Sequence, residues 1–363
     1  MAFTAAQQAA IAHTETWARK RTESSQRIVQ HVGKMSHLSP EDLAEALGQV
    51  RSHARVGLHF HPDRLDVQGR WVASALLADG CYQNQFVTRL SNGHLSPEPG
   101  GPRDVWENQL FGNAYGDGTD GAERPKYGAL DLMGHADGPS PRFGSCFFLL
   151  DPAVSARCTF SYRDSHQLPE ERGTLAVFDD VMAGLLAECF EREFALGERD
   201  ITPPVLIHRL RTQLAKPFAD PATRPPARNL DHYIEAQVHG AIALDRDVAI
   251  LVADPSFQRS ETGDLLERLC ERYSIQLLWH GGFCMRADEV PMDFRGPTMP
   301  SLAHRIAENG QVHARTIGKA AAGLHRDPTL WEDRGTPADV LQALKLLWHV
   351  LVRYGKAMSP LPR

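Results

Sequence analysis

Within Arg55-Val-Gly-Leu-His59-Phe-His61-Pro-Asp63-Arg64, apolar residues alternate with polar ones or glycine over the first seven positions. At the two-residue period of a strand, Val56, Leu58 and Phe60 take one face, and Arg55, Gly57, His59 and His61 take the other. Pro62 ends the strand and leaves Asp63 and Arg64 at its mouth. The same alternation returns in Tyr233-Ile-Glu-Ala-Gln-Val-His-Gly240, with Tyr233, Glu235, Gln237 and His239 on one side and Ile234, Ala236 and Val238 on the other. Residues 3 to about 52 read as helical. There Ser39-Pro40-Glu41-Asp42 supplies an N-cap, a proline at N1 and acids in the first turn of a second helix. Residues 71–77 form a short apolar stretch and 143–150 a buried strand. The spacing predicts helices over 174–196, 205–214 and 263–273, strands over 247–252 and 275–279, and a last helix from Thr336-Pro337 to Gly355. Glycine and proline crowd 92–141 (Pro97-Glu-Pro-Gly-Gly-Pro102, Gly112, Gly116, Gly118, Gly121), which predicts loops wrapping a site. The four prolines of 216–228 predict a surface linker or long loop. The expected class is α+β, a mostly antiparallel β core between helical ends. The domain organisation expected is a helical region 1–52, a catalytic α+β domain 53–260 and a mostly helical region 261–363 packed on it.

The bulk properties narrow this only a little. A chain of 363 residues, 42% hydrophobic, can bury a sizeable core. Its net charge of −6 gives no electrostatic reason to bind nucleic acid or an anionic membrane. No run approaches the roughly 18 apolar residues of a membrane span, and no signal-peptide layout opens the sequence. The six cysteines (81, 146, 158, 189, 270 and 284) include no Cys-x-x-Cys pair and read as reduced thiols. The expected location is cytoplasmic, or outside by a route without a cleaved signal.

Two chemistries can use the polar face of 55–61. In the first, His59-x-His61 shares a divalent metal with Asp63 as an oxygen ligand, as in a metal-dependent hydrolase. That site needs further ligands, and His135, His166, His232, His239 and His280 form no second tight pair. The bland alternative is a pair of histidines that hydrogen-bond to backbone. The second chemistry starts from Glu235, a carboxylate suited to stabilising a cationic sugar transition state or to holding a ribose hydroxyl. Its bland alternative is a solvated glutamate on an edge strand.

The motifs taken together bear on that choice. A first strand carrying Arg55, His59 and His61, a later strand starting at Ser145 and a late strand carrying Glu235 resemble the layout of the ADP-ribosyltransferase superfamily. Leu90-Ser-Asn-Gly-His-Leu95 and Phe111-Gly-Asn-Ala-Tyr-Gly-Asp117 resemble loops of its polymerase-like branch. More specifically, His59-Phe-His-Pro-Asp-Arg64, Glu123-Arg-Pro-Lys-Tyr-Gly128, Pro141-Arg-Phe-Gly-Ser-Cys146 and Tyr233-to-Gly240 resemble a bacterial family catalogued as domain of unknown function 3626, over residues 50 to 300. The resemblance implies a split antiparallel β core and an enzyme that uses NAD as substrate, cleaving the nicotinamide–ribose bond and passing ADP-ribose to a protein or other acceptor. It implies catalytic roles for Glu235 and Gln237, and NAD-binding roles for Arg55, His59, His61, Arg64, Tyr115, Tyr127 and Ser145, with no metal. Arg55 and His59 compete for the first-strand role, and Tyr115, Tyr127 and Ser145 for the middle one. The sequence departs from the superfamily in lacking a Ser-Thr-Ser run, and its late motif reads Glu235-x-Gln237. No glycine-rich dinucleotide fingerprint follows a strand, which argues against hydride transfer. A non-catalytic binding module stays open, with Trp331, Trp348 and Tyr354 as partner anchors, although large aromatics on periodic helices generally face a core.

Overall fold

The computed structural model describes residues 3–90, 97–116 and 118–358. Helices α1 (Ala5–Met35) and α2 (Pro40–His53) open the chain, capped by Thr4 and Ser39 as the side-chain chemistry of those positions dictates. Strand β1 (Arg55–Phe60) follows, then α3 (Val72–Asp79), α4 (Pro102–Leu110), β2 (Lys126–Asp131), β3 (Cys146–Leu150), β4 (Cys158–Tyr162), β5 (Arg172–Thr174), α5 (Asp179–Arg192) and α6 (Pro203–Gln213). Strands β6 (Ile234–Val238) and β7 (Val248–Ala253), helix α7 (Glu261–Tyr273), strand β8 (Gln276–Trp279) and helices α8 (Met299–Ile306), α9 (Ala314–Arg326) and α10 (Pro337–Tyr354) complete it.

The eight strands hydrogen-bond into one sheet in the order β8-β7-β3-β1-β2-β6-β4-β5. Every pairing is antiparallel except β7 with β8. The core is therefore α+β and mostly antiparallel as expected, but continuous where the resemblance implies a split. Strand β8 lies beyond residue 260 and still pairs with β7, so the sheet crosses the expected domain boundary. Helix α5 spans Asp179–Arg192, shorter than the expected 174–196, because Thr174 belongs to β5.

Alternation gives the sheet two different faces. Val56, Leu58, Phe60, Phe148, Phe160, Ile234 and Leu251 point into the main hydrophobic core. The opposite face carries Gly57 and His59 on β1, Tyr127 and Ala129 on β2, and Glu235 and Gln237 on β6, set side by side by the registers Gly57↔Ala129, Ala129↔Glu235 and Tyr127↔Gln237. The loop 138–144 crosses this face and packs on Gly57. A Cβ there would stand 2.7 Å from Cγ of Pro139, so only glycine lets the loop lie flat. Helix α1 is tied to α5 through Asp180, which accepts from Arg21 Nε at 3.0 Å and Ser25 Oγ at 2.7 Å. At the other end, Trp348 of α10 donates its Nε1 to the carbonyl of Pro141 at 2.8 Å. Trp331 and Trp348 are buried and only Tyr354 is exposed, so the two tryptophans belong to the core and are not partner anchors. All six cysteines are unpaired, four of them buried. Among the described residues no helix is long and apolar enough to cross a membrane.

Candidate functional site

A cavity of about 260 Å³ opens over the polar face of β2 and β6. Its floor holds Tyr127 and Glu235, and its walls come from distant parts of the chain: Arg103 and Trp106 of α4, Arg142, Asp164, His166, and Lys345 of α10. It shares His59, Tyr82, Gln83, Gln85, Phe143 and Lys345 with a larger neighbour of about 730 Å³, which continues past His61 and Arg64 between α3 and the C-terminal helices.

Glu235 is no edge-strand glutamate. It lies on β6 between β2 and β4 and is only 6% exposed. Its Oε1 accepts from Gln237 Nε2 at 3.0 Å and from the hydroxyl of Ser165. Burial, reinforced by the charge of Asp164, pushes the carboxyl up to about 8, while the two hydrogen bonds and Arg103 act against that rise. Strand alternation puts Tyr127 next to it, on a strand where the sequence predicts only loop. The Tyr127 ring is flanked by Trp106, edge-on at 5.5 Å, and by the Arg103 guanidinium at 5.2 Å. Trp106 Nε1, Arg103 Nε and Arg142 Nε are buried donors without an acceptor among the described residues. Buried donors carry a desolvation cost of about 1–3 kcal/mol each unless a partner arrives, so a ligand rich in acceptors fits this wall.

The two charged amines of the region are tuned by the same physics. Burial, with Arg142 close by, brings Lys345 down to about 8. Lys126 is likewise lowered to about 8, and its Nζ is spent on the carbonyls of Ala122, Arg124 and Gly240 at 3.1 to 3.4 Å. Lys126 therefore ties loops together, and Lys345 is the amine that both cavities share.

The other expected site residues divide. His59 reaches both cavities, but its ring nitrogens are committed: Nδ1 lies 3.3 Å from the carbonyl of Gly144 and Nε2 accepts from Ser140 N–H at 3.2 Å. Burial holds it neutral, with its pKa pushed down to about 3, and its ring stacks on Phe147 at 4.9 Å. His59 thus fixes the 138–144 loop through backbone, the bland alternative for this pair. His61 and Arg64 line the larger cavity, where His61 Nδ1 meets Ser145 Oγ at 3.3 Å. With both His59 nitrogens occupied, the His59-x-His61 pair does not converge on a metal, and no group of three or more His, Cys, Asp or Glu residues close enough to do so exists among the described residues.

Four of the expected site residues lie off the cavity walls. Arg55 sits at the far end of β1, opposite Asp131, and lines neither cavity, because the strand carries it two pleats away from His59. Ser145 is buried under His61 and likewise lines neither. Tyr115 is fully buried against Phe111 and hydrogen-bonds His239, so it is not a ring open to a ligand. Gln237 contacts Glu235 from below and has no face on the cavity. The Leu90-to-Leu95 motif lies, beyond Leu90, outside the described residues, as does Asp117. Sequence reasoning missed Arg103, Trp106, Arg142, Asp164 and Lys345, which reach the site only through tertiary folding.

No curated protein matches the chain. Residues 55–354 match the family described as protein of unknown function (DUF3626), a span that runs from the first residue of β1 to the last of α10 and holds every site residue named above, and the chain belongs to that family.

Proposed function

We propose that the two joined cavities bind NAD and that Glu235 promotes cleavage of the nicotinamide–ribose bond, with ADP-ribose passing to a protein or other acceptor. The observation that carries this reading is a buried carboxylate beside an aromatic ring, Glu235 and Tyr127, on the floor of a cavity whose wall supplies unsatisfied cationic and indole donors. The small cavity alone is too tight for a dinucleotide. Together with its neighbour it reaches the size of small-molecule sites, roughly 300–1,000 Å³.

In this reading the glycosidic bond breaks with its electron pair leaving on nicotinamide, which departs as a neutral base. Positive charge then develops on C1′ and the ring oxygen of the ribose. Ionised Glu235 stabilises that charge and accepts the 2′-hydroxyl, an electrostatic contribution of about 3–4 kcal/mol in a water-poor site. The acceptor's nucleophile bonds to C1′ and releases its proton to solvent. The Tyr127 ring, held by Trp106, offers a stacking surface to nicotinamide. Arg103, Arg142 and Lys345 face the pyrophosphate, the arginines as planar forks and the lysine as a point charge. The adenosine half extends past His59 toward Arg64 and the apolar walls of the larger cavity. Calorimetric titration tests the reading at its first step: NAD binds with heat, and Lys345→Met weakens it. An absence of any binding at millimolar NAD contradicts it.

A further inference from the structure

Beneath the cavity floor, the polar face of β6 and β4 carries a buried run of side chains that the proposed reaction does not touch. The Tyr115 hydroxyl lies 2.6 Å from His239 Nδ1, and His239 Nε2 lies 3.0 Å from Thr159 Oγ1. Thr159 donates to Gln237 Oε1 at 2.8 Å, and Gln237 Nε2 donates to Glu235 Oε1 at 3.0 Å and to Ser161 Oγ at 3.2 Å. The register places Thr159 opposite Gln237 and Ser161 opposite Glu235, so the sheet itself aligns these partners. Tyr115, Thr159, Gln237 and His239 are each at most 1% exposed, so water cannot replace a missing link.

The proton count fixes the direction of this run. Thr159 has one hydroxyl proton and gives it to Gln237, so toward His239 it can only accept. His239 must then carry its proton on Nε2 and accept at Nδ1, which makes Tyr115 the donor. Burial beside Lys126 and Arg157 keeps His239 neutral, with its pKa pushed down to about 3, as a one-donor, one-acceptor relay requires. Burial also raises the Tyr115 hydroxyl, which stays a donor. Each link thus points its hydrogen toward Glu235.

We infer that Tyr115, His239 and Thr159 are positioning residues that lock the Gln237 amide so that its N–H, and not its carbonyl, meets the Glu235 carboxylate. The functional consequence rests on the reading of Glu235 given above; the hydrogen-bond order does not. A rotated amide would set a carbonyl oxygen against the carboxylate and disfavour its charged form. The other ionisable groups around Glu235 are Tyr233 from its own strand segment, Asp164 and His166 from the turn after β4, Arg103 from α4, Tyr127 from β2, and, on the same cavity wall, His59 from β1, Lys126 from β2, Arg142 from the loop before β3 and Lys345 from α10. None of them hydrogen-bonds to the Thr159 hydroxyl, whose partners are Gln237 and His239, so substitution there reaches Glu235 through the amide.

The test follows the Glu235 carboxyl by ¹³C NMR in the full chain without NAD, its resonance assigned by loss in Glu235→Gln. Thr159→Val should move the Glu235 titration upward by about one to two pH units, the loss of one hydrogen bond to a charged group. Thr159→Ser, which keeps the hydroxyl, should restore it. A folded Thr159→Val whose Glu235 titrates as in the wild type overturns the proposal. A second measurement needs no variant: ¹⁵N NMR of the wild type at pH 9 should show His239 as the Nε2–H tautomer, and an Nδ1–H tautomer overturns the proposal equally. Both readouts are independent of NAD, so a chain that shows them without turning NAD over contradicts the proposed function alone.

Discussion

Glu235 and Gln237 occupy alternate positions of one strand, and the amide of Gln237 donates to the Glu235 carboxylate from 3.0 Å. The carboxyl is nevertheless raised to about 8, because burial and Asp164 outweigh the donors that Gln237 and Ser165 supply. A group that must be anionic to stabilise a cationic ribose is then only partly ionised at neutral pH. The rate of NAD cleavage, measured as kcat/KM in the absence of acceptor limitation, should therefore rise with pH up to about 8 and fall again above it as binding weakens. Lys345, lowered to about 8, loses its charge over the same range, so NAD binding should weaken as pH climbs past it. A profile flat from pH 6 to 9 is inconsistent with both assignments.

The same shift has a stability consequence of definite sign. A carboxyl whose folded pKa lies above its unfolded value binds more protons in the folded state between the two values. Its contribution to stability is therefore present below the ordinary carboxyl range and is lost as pH rises toward about 8. Asp63, buried and raised to about 7, adds in the same direction. Glu235→Gln cannot ionise and should match or exceed the wild type in stability at pH 9, with an advantage on the order of a few kcal/mol. Denaturant unfolding at pH 6 and pH 9 measures it, and a variant weaker than wild type at pH 9 speaks against the buried, raised carboxyl.

Gly57 bears on both fold and site. Alanine there meets Pro139 at 2.7 and 2.8 Å, two atoms of a ring that cannot swing aside. The 138–144 loop must lift, and with it the Ser140 amide and Gly144 carbonyl that hold His59. Gly57→Ala should cost about 1–3 kcal/mol, the usual penalty of overpacking. It should also weaken NAD binding, because Arg142 rides on the same loop. Equal stability and equal affinity in the variant would show that the loop does not depend on this contact.

Lys345 supplies a charge from α10 to a site built otherwise on the sheet and α4. Lys345→Met keeps the length of the stem and removes the charge. It should lower affinity for NAD about tenfold or more, and the difference between wild type and variant should shrink as salt is raised. Affinity unchanged at low salt would place the pyrophosphate elsewhere.

Much of the site's floor was legible in the sequence, and its walls were not. Alternation located β1 and β6 and the faces of His59, Glu235 and Gln237, because a strand with one apolar row writes its period into the sequence. Strand β2 was hidden in a glycine-rich stretch. Its Tyr127-Gly128-Ala129 carries small residues where neighbouring backbone comes close, and a Cβ at Gly128 would stand 2.5 Å from the carbonyl of Gly57. With β2 unseen, Tyr127 read as a loop residue and Tyr115 as its equal, although one lines the cavity and the other lies sealed beneath it. Strand β4, equally unseen, supplies Thr159 and Ser161. Arg103 lies on a helix inside the stretch read as loop, and Lys345, 242 positions away, on a helix whose local pattern says only that it is amphipathic. Their convergence is a property of packing, and no local period records it.

The measurement that bears most directly on the central claim is nicotinamide release from NAD by the wild type and by Glu235→Gln, run side by side near pH 8.5, where the wild-type carboxyl is largely ionised. The substitution keeps the size and hydrogen-bonding reach of the side chain and removes only the charge that faces the developing ribose cation. The wild type should release nicotinamide, and Glu235→Gln should lose on the order of 10²–10³ in rate while still binding NAD and remaining folded. A wild type that binds NAD and releases nicotinamide at a rate the variant matches would contradict the assignment of Glu235 as the catalytic carboxylate.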